Sequence, residues 1–200
     1  MFMKFLKHLK QKNRFLLKPL KIFKLQFLLI NMKIGIIGPS KLKYLEDINK
    51  KARDIIKGLA KQVAESNDEI VGVPDKGSVS EFFMQEYIKQ KGKKVFEVVP
   101  LDDKEFGYKW VNLDLGKHIN CGTWRNQPEK LNEETDVLLC LGYSTGGLIE
   151  IAYSKWFKPK MVYIIKELID GKLPPSSVRD LNLKYISHKD FLKELNTNEF

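Results

Sequence analysis

A short apolar run that ends in a glycine-bearing turn and gives way to helical spacing occurs three times in this chain. The runs are Ile34 to Ile37 before Gly38-Pro39-Ser40, Glu69 to Pro74 before Asp75-Lys76-Gly77-Ser78, and Asp136 to Leu141 before Gly142 to Gly147. Apolar runs of this length, bounded by turn residues, read as strands buried on both faces. Buried strands that alternate with amphipathic helices need a layer of helices above and below them. The pattern therefore predicts an α/β fold, a doubly wound and mainly parallel sheet with helices on both faces.

The helices are legible too. Ile48, Ala52, Ile55, Ile56, Leu59 and Val63 recur at steps of three and four, with Glu46 and Asp47 expected in the first turn. Ser78-Val79-Ser80-Glu81 fits the S-x-x-E capping box, and Val79, Phe82, Phe83 and Tyr87 form the inner face behind it. Val95 to Pro100 is a third strand, 127–134 a short helix, Met161 to Lys166 a fifth strand, Lys184 to Ile186 a short sixth, and Asp190 to Leu195 a closing helix. The helix after Gly147 is expected to run through Trp156. Residues 101–125 show little periodicity, and a stretch this long without clear structure is often functional.

Net charge is +10, a value that suggests a polyanionic partner, but its distribution removes that reading from most of the chain. Residues 1–31 hold seven Lys, one Arg and no acid, so residues 32–200 carry only +2. The main body has no basic footprint for nucleic acid. Residues 1–31 read as an upstream extension before a start at Met32, as a disordered arm, or as a basic amphipathic surface helix. Their longest apolar run, Leu25 to Ile30 around Gln26, is far too short to span a bilayer. One domain is expected over 32–200. The two cysteines, Cys121 and Cys140, form no C-x-x-C pair and no disulfide framework, which predicts a reduced, cytoplasmic protein. His118 and Cys121 lack further ligands nearby, so no metal site is expected.

In an open parallel sheet, ligands bind beyond the carboxyl ends of the strands. The three turns lie there. A glycine turn that opens a helix aims backbone N–H groups at an anion and adds the helix dipole. Gly142, Ser144, Thr145, Gly146 and Gly147 are candidates for such a cradle, joined by Gly38 and Ser40 from the first turn and Lys76, Gly77 and Ser78 from the second. The expected ligand is a nucleotide or sugar phosphate. Glu150 stands three residues past Gly147, where a carboxylate can stabilise a sugar oxocarbenium ion or position a water. Arg125 is a candidate partner for Glu150 or for a phosphate. Neither G-x-x-x-x-G-K-[ST] nor G-x-G-x-x-G is present, which disfavours ATP hydrolysis and standard NAD binding, and no cofactor is expected.

From Met32 to about Ile165, the segments KIGIIGPS, EIVGVPDKGSVSEFFMQEYIKQKGKKVFEVVP and DVLLCLGYSTGGLIEI resemble, in order, the Rossmann-like SLOG superfamily. That superfamily includes the Lonely Guy (LOG) phosphoribohydrolases and DNA-processing protein A. The last segment is similar to the P-G-G-x-G-T-x-x-E motif of the LOG group. Gly146 falls on its third glycine and Glu150 on its glutamate, while Tyr143, Ser144 and Gly147 replace two glycines and the threonine. Arg125 matches the arginine of the preceding helix with a spacing about two residues longer. The resemblance implies N-glycosidic hydrolysis of a nucleoside monophosphate with Glu150 and Arg125 in the site, and a homodimer. A non-catalytic nucleotide sensor is the alternative, and membrane or nucleic-acid binding through the basic arm is the third reading. The older family label, lysine decarboxylase, implies pyridoxal phosphate, and nothing in this sequence places such a lysine.

Overall fold

A computed structural model describes residues 31–157 and 160–197, so the basic segment up to residue 30 lies outside the described residues. Seven strands form one sheet: β1 (Lys33–Ile37), β2 (Glu69–Gly72), β3 (Val95–Val99), β4 (Lys117–Asn120), β5 (Val137–Cys140), β6 (Met161–Ile165) and β7 (Leu183–Ile186). Their order is β4-β3-β2-β1-β5-β6-β7, and every pairing is parallel. The helices are α1 (Lys43–Ile48), α2 (Ala52–Glu65), α3 (Val79–Lys89), α4 (Gln127–Glu133), α5 (Thr145–Tyr153) and α6 (His188–Thr197). The predicted doubly wound α/β fold is what the chain adopts.

Alternation along the strands makes two cores. Ile34, Ile36, Val137 and Leu139 pack with Ile56 and Leu59 of α2, Phe83 of α3 and Phe191 of α6. Ile37, Leu138 and Cys140 face the other way, onto Leu131 of α4 and Ile151 of α5. Gly35 points to that second face, where a Cβ would lie 2.5 Å from Leu138 Cδ2 and 3.0 Å from Thr135 Cγ2. A side chain there must push back a packed neighbour, so Gly35→Ala is expected to cost about 1–3 kcal/mol by urea unfolding. A neutral variant would mean that β1 and β5 pack more loosely than this.

The single helix expected from Ile48 onward is two. Asn49 is extended at φ −143° and ψ 115°, its side chain donates to Glu167 O (3.0 Å), and its Oδ1 accepts from Lys51 N (2.9 Å). Glu46 therefore belongs to the first turn of the short α1, and Ile48 is exposed. The capping box is also rewired. Ser78 Oγ accepts from Glu81 N (3.0 Å), but Glu81 Oε2 accepts from Gly77 N (2.6 Å) rather than from Ser78. On the inner face of α3, Met84 is buried, while Phe82 is half-buried under the Arg53 guanidinium. The last helix turn before Trp156 tightens into a 3-10 turn, Ser154–Trp156.

Strand β4, Lys-His-Ile-Asn, has no apolar run because it is an edge strand with mostly exposed side chains. It is held by Glu97, fully buried in β3, whose Oε1 accepts from Leu115 N and Gly116 N, both at 2.8 Å. Burial pushes the Glu97 carboxyl above its usual range. Gly116 passes so close that a Cβ would sit 2.3 Å from Val95 O. His118 Nε2 lies 3.0 Å from Glu97 Oε2, while Cys121 is buried in the second core, so the H-x-x-C pair serves two separate structural ends. Both cysteines are free and buried, and burial raises their thiols to about 11 for Cys121 and about 12 for Cys140.

Candidate functional site

Chain order reverses between β1 and β5. Strands β2, β3 and β4 lie on one side of β1, and β5 begins the other side. Such a switch point splays the connections apart and leaves a crevice at the strand ends. Here a cleft of about 510 Å³ opens at that point, within the size range of small-molecule sites.

Three turns far apart in sequence are laced together around it. Ser144 Oγ donates to Gly38 O (3.3 Å), tying the β5 turn to the β1 turn. Val79 N donates to Pro39 O and Leu42 N to Gly77 O, both at 3.0 Å, tying the β1 turn to the β2 turn. Ser144 is also the N-cap of α5, and its Oγ accepts from Gly147 N at 3.0 Å. The first intrahelical bond runs from Leu148 N to Ser144 O (2.8 Å). The amides of Thr145 and Gly146 therefore lie before the helix's own hydrogen bonding begins. Both residues are exposed and line the cleft. A Cβ on Gly146 would meet nothing within 4 Å, so no neighbouring protein group excludes a side chain there.

Of the residues singled out from sequence, Gly38, Ser40, Ser78, Ser144, Thr145, Gly146, Gly147 and Glu150 line this cleft. The others go elsewhere. Lys76 Nζ donates to Lys109 O (3.2 Å) and borders a smaller groove of about 290 Å³. Gly77 holds a positive φ of 83° and serves the turn. Gly142, at φ +123°, is a packing glycine, because a Cβ would lie 2.4 Å from Leu45 Cδ2 and 3.1 Å from Leu168 O. Arg125 is not beside Glu150. Its Nη2 pairs with Glu105 Oε2 at 2.7 Å, it lies over the Phe106 ring, and its side chain is 68% exposed. The partner of Glu150 is Gln127, two residues on, whose Nε2 donates to Oε1 at 2.9 Å.

The cleft also contains groups that the sequence did not mark. Asp75 read as an ordinary turn residue and Ser80 as the middle of a capping box, yet both line it. Asp75 Oδ1 and Ser80 Oγ are buried atoms without a hydrogen-bond partner. Trp124 forms a wall. Its Nε1 donates to Gly107 O (2.7 Å), its N donates to Asp103 Oδ2 (3.0 Å), and its ring stacks on Trp110 with centroids 5.6 Å apart. Asp103 also accepts from Phe106 N (2.8 Å), and these backbone donors, Phe106 foremost and then Trp124, hold its carboxyl below the usual range. The unreadable stretch 101–125 thus builds a fixed side of the site as well as the edge strand. Its two tryptophans, Trp110 and Trp124, were the visible signal.

The electrostatics are one-sided. Among the described residues, no Lys, Arg or His lines the cleft, and the ionisable acids there are Asp75 and Glu150. Burial raises Glu150 to about 7, Gln127's hydrogen bond opposes the rise, and the charge of Asp75 adds to it. Burial, then the charge of Glu81, raises Asp75 to about 6.

No protein-family model matches the sequence, and no curated protein matches it. Solved structures do match. The molybdenum cofactor binding protein of the phototrophic bacterium Rippkaea orientalis superposes with a TM-score of 0.65 at 16% identity, over 86% of this chain and 99% of that one. The Moco carrier protein of Chlamydomonas reinhardtii gives 0.61 at 18% identity, over 84% and 99%. The fold is Rossmann-like. At these identities the likeness carries the architecture alone.

Proposed function

We propose that this chain binds a phosphorylated small molecule in the β1/β5 crevice and holds it without turning it over. The observation that carries this reading is the α5 N-terminus. At the switch point, the Thr145 and Gly146 amides precede the first intrahelical bond, and both residues line a cleft that has no basic side chain among the described residues. Backbone donors at a helix start are a sufficient anion site. The hydroxyls of Ser40 and Thr145 lie along the same cleft. The two neighbours described above are named for binding or carrying the molybdenum cofactor, which fits a binding role for this fold. The arginine that the resemblance would place beside Glu150 is on the surface with Glu105, and that favours holding over hydrolysis.

One observation supports a second reading, N-glycosidic hydrolysis of a nucleoside monophosphate. Asp75 and Glu150 share one cleft, and burial raises them to about 6 and about 7, where a carboxyl can give up or take a proton near neutral pH. In that reaction one carboxylate takes a proton from water as the oxygen bonds the anomeric carbon. The other carboxylic acid protonates the departing base nitrogen as the C–N bond breaks. A thermal-shift panel of nucleoside monophosphates and sugar phosphates on the full chain, with product analysis, separates the two. A ligand at 100 times its Kd is expected to stabilise by about 2.7 kcal/mol, or about 5–10 °C in Tm. A shift without free base supports the holding role, and release of base supports hydrolysis. Silence across the panel contradicts both.

A further inference from the structure

The glycine turn accounts for only part of the cleft lining. Asp75, Ser80 and Glu150 also line it, and the first two carry polar atoms without a hydrogen-bond partner. Asp75 Oδ1 and the Ser80 hydroxyl are buried and unpartnered, Ser80 being only 6% exposed. Glu150, 9% exposed, uses Oε1 for Gln127. Unsatisfied buried polar atoms cost stability, and among the described residues no cationic side chain lines the cleft to compensate them. An anion placed against these groups is repelled by the carboxylates. A group rich in N–H or O–H donors satisfies them. Trp124, locked by its own hydrogen bonds and by the stack on Trp110, borders the same cleft, as do the rings of Tyr44 and Tyr143. Aromatic side chains of this kind provide the surface on which planar heterocycles stack.

We propose that Asp75, Ser80 and Glu150 form the recognition wall for a planar heterocycle presenting adjacent N–H donors, the 2-aminopyrimidinone edge that a guanine ring carries. This rests on the reading of the crevice as a phosphate site. The ligand is then polar at both ends, with a phosphate on the α5 turn and a donor edge on the carboxylates. A carboxylate accepts two parallel N–H bonds from such an edge, one from the ring nitrogen and one from the exocyclic amine. Recognition that depends on hydrogen-bonding a specific group discriminates strongly against the analogue lacking it, because the site's own polar atoms are left unpaired.

Guanosine 5′-monophosphate and inosine 5′-monophosphate differ only in that exocyclic amine. Calorimetric titration of the full chain with both, and with ribose 5-phosphate, tests the assignment. The guanine nucleotide is expected to bind at least about tenfold tighter than the inosine nucleotide. Asp75→Asn is expected to reduce that preference several-fold, with its Tm recorded to show that it folds. Equal affinity for the two nucleotides would overturn the donor wall and leave the phosphate site standing. Ribose 5-phosphate binding as tightly as the guanine nucleotide would also overturn it, by showing that the wall reads a sugar diol. No binding by any of the three would remove both the wall and the phosphate reading.

Discussion

Gly146→Asp is expected to leave the chain folded and to weaken binding of a phosphorylated ligand by about two orders of magnitude. Three features make the variant clean. Residue 146 lies in the first turn of α5, where the helix dipole favours an acid. Its backbone is not among those with positive φ, so a side chain adds no strain of that kind. A Cβ there meets nothing within 4 Å, so no core contact is disturbed. The new carboxylate sits beside the amides proposed to hold the anion and repels it. Titration calorimetry with the strongest phosphorylated ligand, together with a thermal melt, checks both halves. Unchanged affinity in a folded variant would mean that the anion lies elsewhere.

A second effect of similar size concerns pH. The ligand-free chain is expected to lose stability as pH rises from about 4.5 to 8, and Glu150→Gln is expected to remove much of that loss. The sign follows from Glu150, raised by burial from 4.5 to about 7. Below 4.5 the group is protonated folded and unfolded, so its burial carries no ionisation penalty. Between the two values the folded chain binds the extra proton, so stability falls as that proton is lost. Above about 7 the full penalty is present, about 3 kcal/mol for a shift of this size. Asp75, raised from 3.8 to about 6, acts in the same direction. Urea unfolding of wild type and Glu150→Gln is expected to show little difference at pH 5 and a more stable variant at pH 8. A variant no more stable than wild type at pH 8 would contradict the burial of this carboxyl.

The parts of this fold that were legible are those where one physical rule acts alone. β1 and β5 are buried on both faces, so their apolar runs stand out, and the turns that follow mark the strand ends. β4 was not legible, because an edge strand needs no apolar face and owes its place to the Glu97 carboxylate in a neighbouring strand. The break at Asn49 likewise rests on a contact 118 residues away, with Glu167. The same division holds at the site. Ser144, Gly146 and Glu150 were visible because a local turn displays them. Asp75, Ser80, Trp124 and Gln127 were not, since their place depends on loops converging from separate parts of the sheet. Arg125 was misplaced by a match in residue type two positions from Gln127, the residue that reaches Glu150.

The most direct test of the crevice as a phosphate site is a ¹H–¹⁵N titration of the full chain with guanosine 5′-monophosphate and with ribose 5-phosphate. Binding at the switch point predicts the largest shifts at the Thr145, Gly146 and Gly147 amides, with smaller ones at Gly38 and Ser40. Shifts confined to the Lys76–Asp114 groove, or none at the α5 turn at saturating ligand, would contradict it.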